Sequence, residues 1–220
     1  MKKGIFICFT GIDGSGKTTL ANMLVESMKQ ENMKYRYVYN RYSPFLIKPF
    51  MIAARALFLR KNNIFKNYED DSRAKKKIFR NHALSVLYLC CVLFDYSIQI
   101  LVKTTIPLMS GSNIICDRYI YDTICTDLAI DLDLSEEYVL SLLEKSFVLF
   151  PRPNITFLID IPEEVAYSRK DDVPSLEYLR DRRSVYLRLC KRSNMITLDG
   201  LKSPKILKNI SANYIKEITK

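Results

Sequence analysis

The chain has 220 residues, 48% hydrophobic and 26% charged, which is enough to bury the core of one globular domain. Six cysteines without a C-x-x-C pair and a single histidine exclude a cysteine-rich zinc framework, a multi-histidine metal site and a histidine-based triad, and they suit a reducing, cytoplasmic setting. A formal charge of +10 favours polyanionic partners, although its sign alone does not choose between nucleic acid and nucleoside triphosphates.

The first apolar run, Ile5–Thr10, reads as a strand. It is too short for a signal peptide, because Asp13 and Lys17 follow where an apolar region would continue. Helical spacing covers Lys17–Glu31, then a strand Tyr35–Tyr39 leads through Asn40–Arg41 to a second helical segment, Ser43–Leu59. The longest helical segment, Arg73–Lys103, contains an apolar stretch, Ala83–Val102, about one bilayer long. Asp95 and Gln99 lie four residues apart on the stripe of Ser85, Tyr88 and Val92, so this stretch reads as a core helix lining a cleft and no membrane partner is expected. Further strands are expected at Asn113–Cys116, Ile155–Asp160 and Met195–Leu198, with helices at Ser135–Phe147, Pro162–Lys170, Ser175–Lys191 and Ser203–Ile218. Strands alternating with helices predict an α/β, three-layer arrangement around a mainly parallel sheet, and no repeat or linker divides residues 1–220. Ligands of such sheets collect beyond the C-terminal strand ends, which singles out Gly11–Thr18, Asn40–Arg41, Asp117–Arg118 and the segment after Asp160.

The strongest motif is Gly11-Ile-Asp-Gly-Ser-Gly16-Lys17-Thr18, a complete G-x-x-x-x-G-K-[ST] between a strand and a helix. Its glycines let backbone N–H groups curl round phosphates, Lys17 reaches the β- and γ-phosphates of ATP, and the Thr18 hydroxyl binds Mg²⁺. Gly11, Gly14, Ser15, Gly16, Lys17, Thr18 and Thr19 are therefore the expected ATP-binding residues. A nucleotide thus answers the positive charge, and no nucleic-acid partner is expected. Asp117 follows a strand and can join Thr18 on the metal, while the neighbouring Arg118 offers a rigid fork for phosphate oxygens. No N-K-x-D or switch-type D-x-x-G segment follows, which argues against a GTPase and for a small-molecule kinase.

Four blocks together resemble the thymidylate kinase family: Gly11–Thr19, Asp117-Arg118-Tyr119, Pro151–Asp160 and the arginine-bearing Arg169–Tyr186. They occur in the family's order and span nearly the whole chain. The resemblance implies a P-loop kinase fold with a five-stranded parallel sheet, a helical lid within about residues 169–183, and a homodimer. It also implies that Asp13 meets the acceptor's sugar hydroxyl or orients its phosphate, and that Arg41 and Arg118 grip that phosphate. Family members with a small residue at the position of Gly14 usually supply the transition-state arginine from the lid. Arg169, Arg180, Arg182 and Arg183 are then the candidates, with Arg169 joining Lys17, Arg118, Asp117 and Asp13 in the catalytic set.

The departures concern the acceptor. Counted back from Gly111, the family's base-reading Phe and Arg fall on Val92 and Tyr96, or on Leu93 and Ser97 with a one-residue slip, and neither restores the pair; a serine three residues after Asp-Arg-Tyr becomes Asp122. Asp95, Tyr96, Gln99 and Asp122 either build a different acceptor pocket or form a hydrogen-bonded structural cluster. The expected reaction is Mg²⁺-dependent transfer of the ATP γ-phosphoryl group to a nucleoside monophosphate, with thymidylate a poor acceptor. Two other readings remain open at this point: a kinase for a sugar or metabolite hydroxyl with Asp117 or Asp122 as base, and an ATP-dependent switch without an acceptor.

Overall fold

A computed structural model of the chain describes residues 3–49, 51–53 and 68–219. Five strands, β1 (Phe6–Thr10), β2 (Tyr35–Tyr39), β3 (Asn113–Asp117), β4 (Ile155–Asp160) and β5 (Ile196–Asp199), form one parallel sheet in the order β2-β3-β1-β4-β5. Alternation along β1 loads both faces. Phe6 and Cys8 join one core cluster with Leu89, Val92, Tyr96, Ile100 and Ile124, while Ile7 and Phe9 join the opposite one with Leu20, Leu24, Met28 and Ile215. The three-layer α/β P-loop kinase fold is therefore as read from the sequence, with strand bounds shifted by a residue at most.

The helices depart from expectation in four places, each with a local cause. The long Arg73–Lys103 segment is two helices, Tyr68–Phe79 and His82–Ile100, because the Asn81 side chain accepts from Ala83 N at 3.1 Å and Leu84 N at 3.3 Å and starts a new helix. The second helix continues through a π-helical turn, Leu101–Thr105, into Ile106–Met109; Pro107, which has no N–H to donate, lies just past the wide turn. The segment Ser43–Leu59 is not helical at its start, since the Asp95 carboxylate takes the amides of Phe45 and Leu46; residues 48, 49 and 51–53 are helical, and 54–59 lie outside the described residues. Finally, a helical stretch absent from the sequence reading, π-helical Tyr121–Leu128 followed by Ala129–Asp131, leaves β3 directly.

The His82–Met109 helical run is long and apolar enough to cross a membrane, yet it is only partly a core element. One face buries Leu89, Val92, Asp95, Tyr96 and Ile100 against the sheet. The other leaves Leu87, Phe94, Leu101 and Val102 exposed. The core helix expected from the sequence is thus half of what the structure contains.

Candidate active site

The phosphate loop is assembled by backbone geometry that side chains would obstruct. Gly11, Gly14 and Gly16 all have positive φ, and a Cβ on Gly14 would lie 2.3 Å from the Ala166 carbonyl oxygen. The helix Glu163–Ser168 therefore packs directly on the loop. Gly16 precedes the helix Lys17–Gln30 without a side chain to cap it, so the first amides of that helix remain available to an anion. Lys17 Nζ donates to Gly11 O at 2.8 Å, Ile12 O at 2.7 Å and Ser15 Oγ at 3.2 Å, which holds the ammonium at the mouth of the cradle.

At the end of β3, the Thr18 hydroxyl and the Tyr37 hydroxyl both donate to Asp117 Oδ2, while Asp117 Oδ1 is buried without a hydrogen-bond partner. A hydroxyl beside a carboxylate with one unspent oxygen fits Mg²⁺, which takes oxygen ligands, keeps several waters and shares the rest of its shell with phosphates. The next residue, Arg118, adopts a left-handed φ of 69°, uncommon for a side chain of its size, and is buried. Its guanidinium lies between Asp13 Oδ1 on one side and Asp122 Oδ1 at 3.1 Å on the other. Asp13 also lies 3.8 Å from Arg41 Nη1 and accepts from the Tyr178 hydroxyl at 3.4 Å. Burial opposes ionisation of Asp13, but the charges of Arg118, Lys17 and Arg41 outweigh it and hold the carboxyl far below its ordinary range.

An open cleft of about 560 Å³ joins these parts, with Asp13, Lys17, Thr18, Arg41, Arg118 and Arg169 on its walls. Arg169 ends the helix that packs on Gly14 and donates its amide to the same Ala166 oxygen at 3.2 Å. The other arginines proposed for the lid are committed elsewhere. Arg180 binds Glu163, Arg183 binds Asp160 and Glu163, and Arg182 binds Asp127. Part of the stretch 169–183 expected to contain the lid lies in Leu176–Arg192, a regular helix that buries Tyr178, Leu179, Arg182 and Tyr186.

Four expected acceptor residues do not line this cleft. Asp95 is spent on the Tyr42 hydroxyl and the amides of Phe45 and Leu46. The Tyr96 hydroxyl donates to Asn40 O at 2.7 Å, and Gln99 Nε2 donates to Asn40 Oδ1 at 3.1 Å and Arg41 O at 2.8 Å. All three hold the segment after β2, and so aim Arg41 without facing a ligand. Asp122 is buried beneath Arg118, where it accepts from Thr10 Oγ1, Tyr119 N and the Tyr186 hydroxyl as well, and it reaches only the small cavity behind Asp13 and Arg118. The structure therefore favours the hydrogen-bonded structural cluster over a second pocket. Val92 and Tyr96 are core residues.

Sequence reasoning missed Tyr37 on Asp117, Tyr178 on Asp13, Asp127, and the cleft residues Gly200 and Lys202. The last two follow β5, and the strand-end rule that singled out Arg118 would have found them. The tyrosines carried no local signal.

A family model for thymidylate kinase matches residues 70–210. The chain belongs to the thymidylate kinase family. It is 30% identical over 204 residues to "Probable thymidylate kinase 1" of Saccharolobus solfataricus, covering 89% of this chain and 88% of that protein. It is 28% identical to thymidylate kinase of Leptospira borgpetersenii over 93% and 89% of the two chains, and 31% identical to that of Caenorhabditis elegans over 76% and 68%. The protein is accordingly an ATP-dependent phosphotransferase acting on a nucleoside monophosphate.

Burial, reinforced by the charge of Arg118, lowers the Lys17 ammonium to about 7. At pH 8 the free lysine is then roughly nine-tenths neutral, and a triphosphate placed beside it raises its proton affinity. ATP binding should take up close to one proton at pH 8 and much less at pH 6. Titration calorimetry in buffers of different ionisation enthalpy measures this, and Lys17→Arg, charged at both values, should abolish the difference.

Proposed function

We propose that this chain uses Mg²⁺ and the γ-phosphoryl group of ATP to phosphorylate a nucleoside monophosphate in the cytoplasm, the reading that its six free cysteines and its phosphate-binding cleft support. The observation that carries the proposal is the pairing of Arg41 and Arg118 on Asp13, beside a complete phosphate loop. Two guanidinium forks next to one triphosphate cradle suit a second phosphate, which arrives with its nucleophilic oxygen already ionised. The alternative of a hydroxyl acceptor loses support because its candidate bases are engaged: Asp122 accepts from four donors, and Asp117 faces Thr18 and Tyr37. Nothing in the cleft favours the acceptor-free switch.

In this reading the loop amides and Lys17 hold the β- and γ-phosphates, and Arg118 and Arg41 hold the acceptor phosphate in line with them. Thr18 and Asp117 would hold Mg²⁺, which would supply neutralising charge to the phosphates. Asp13 keeps both guanidinia oriented and separate. Arg169 extends from the helix packed on Gly14 to neutralise the charge that develops during transfer, a role the steric closure at Gly14 denies to the loop itself. Lys17→Ala should lower turnover by on the order of 10²- to 10³-fold while leaving the folded state intact. Arg169→Ala should lower kcat about 100-fold with little change in the KM for ATP, whereas Arg180→Ala should leave kcat near wild type. Near-normal kcat in the Arg169 variant at saturating substrates overturns its assignment.

The preferred monophosphate is not set by the residues that read thymine elsewhere in the family, since Val92 and Tyr96 occupy those positions in the core. Thymidylate should show a lower kcat/KM than the best acceptor in a panel of common ribo- and deoxyribonucleoside monophosphates. Coupled-assay kinetics over that panel decide it, and thymidylate in first place refutes the expectation. The homodimer implied by family resemblance has a suitable surface in the exposed stripe of Leu87, Phe94 and Leu101. Analytical ultracentrifugation should find twice the chain mass for the wild type and a shift toward monomer for Phe94→Lys.

A further inference from the structure

Arg182 has no part in the site as described, although it approaches the acceptor end. It shares a small, partly open cavity of about 10 Å³ with Asp13, Arg41, Arg118, Asp122, Thr126 and Tyr186. A space of that size takes roughly one water, so a bound acceptor must widen it. The arginine is only 8% exposed, and its guanidinium stacks 3.6 Å from the centre of the Tyr178 ring. Nη2 donates to Asp127 Oδ1 at 3.2 Å, and Nη1 contacts Tyr178 O at 3.4 Å and the Tyr68 hydroxyl at 3.5 Å. Among the described residues Nε–H is buried without a partner, and it is the one nitrogen donor so placed, the other such donors being the hydroxyls of Tyr35, Thr123 and Ser211. A buried donor left unspent on a charged side chain is open to a ligand atom that would complete its bonding.

The position matches one part of a nucleotide. Asp127 Oδ1 lies 3.7 Å from Arg41 Nη2 and 3.2 Å from Arg182 Nη2, so a single carboxylate separates the phosphate-binding arginine from the unspent donor. That span is comparable to the sugar between a phosphate and its base. An arginine only donates hydrogen bonds, so the group it meets must be an acceptor, such as a ring carbonyl; an exocyclic amine would leave two donors facing each other. We propose that Arg182 is a specificity-determining residue that donates from Nε to a carbonyl oxygen on the acceptor's base, with Asp127 and the Tyr178 ring fixing the guanidinium plane. Base reading then comes from the Leu176–Arg192 helix in place of the helix that carries Val92 and Tyr96.

This inference rests on the monophosphate kinase reading, and the test separates the two. Steady-state kinetics are measured for wild type, Arg182→Lys, Arg182→Met and Asp127→Asn, with uridylate and thymidylate, whose bases carry ring carbonyls and no exocyclic amine, against adenylate, whose base carries an exocyclic amine and no carbonyl. Wild type should favour the carbonyl group. Arg182→Met should raise the KM for the best acceptor by on the order of tenfold to a hundredfold and level the preference between the groups, with the KM for ATP unchanged. Arg182→Lys should restore thermal stability without restoring the preference, and Asp127→Asn should weaken the preference in part. A fall in melting temperature with the ratio of acceptor kcat/KM values intact assigns Arg182 to structure and overturns the inference. Should Arg182→Met not fold, an unaltered ratio in both Arg182→Lys and Asp127→Asn overturns it equally. Absence of wild-type turnover with every monophosphate instead refutes the kinase reading itself.

Discussion

The site is organised around one buried cation. Arg118 leaves β3 in a left-handed conformation and sits between Asp13 from the phosphate loop and Asp122 from the π-helical turn. A guanidinium removed from water needs such partners, since an unpaired charge at that depth would cost several kcal/mol. Each carboxylate in turn draws other elements to it. Asp122 gathers Thr10, Tyr119 and Tyr186, tying β1, the turn and the Leu176–Arg192 helix together, while Asp13 gathers Arg41 and Tyr178. Arg118 is thereby fixed in place by the same contacts that tie together the C-terminal ends of the strands.

A second layer of support stands behind Arg41. Its backbone carbonyl, its neighbour Asn40 and the turn at Phe45–Leu46 are all bonded by polar residues of the His82–Ile100 helix. Asp95, Tyr96 and Gln99 thus act on the acceptor side through backbone placement, and their polarity on an otherwise apolar helix has a cause unrelated to direct ligand contact. A loop that follows an edge strand would otherwise have few bonds to hold it.

Much of this was legible in the sequence because it depended on local pattern. The phosphate loop needs glycines at fixed spacing and a lysine-threonine pair, and the strand ends follow from short apolar runs. Fold class, Lys17, Thr18, Asp117 and Arg118 could be read that way. Helix Tyr121–Asp131 could not, because its buried aspartate and threonines break the apolar period that marks a helix; Asp122 fits the interior through its partners Thr10 on β1 and Tyr186 on the far helix. The roles of Asp95 and Asp122 were hidden for the same reason. A carboxylate near a site looks alike in sequence whether it faces ligand or backbone amides, and the donors that decide the matter lie up to 112 residues away.

The close approach of Gly14 to Ala166 has a consequence for how such enzymes diverge. No room exists for a side chain at position 14 unless the Glu163–Ser168 helix retreats, and Arg169 at the end of that helix lines the cleft. Any side chain introduced at position 14 would therefore have to move the Ala166 carbonyl, which also takes the Arg169 amide, so the identity of residue 14 and the placement of Arg169 are coupled through a single backbone oxygen.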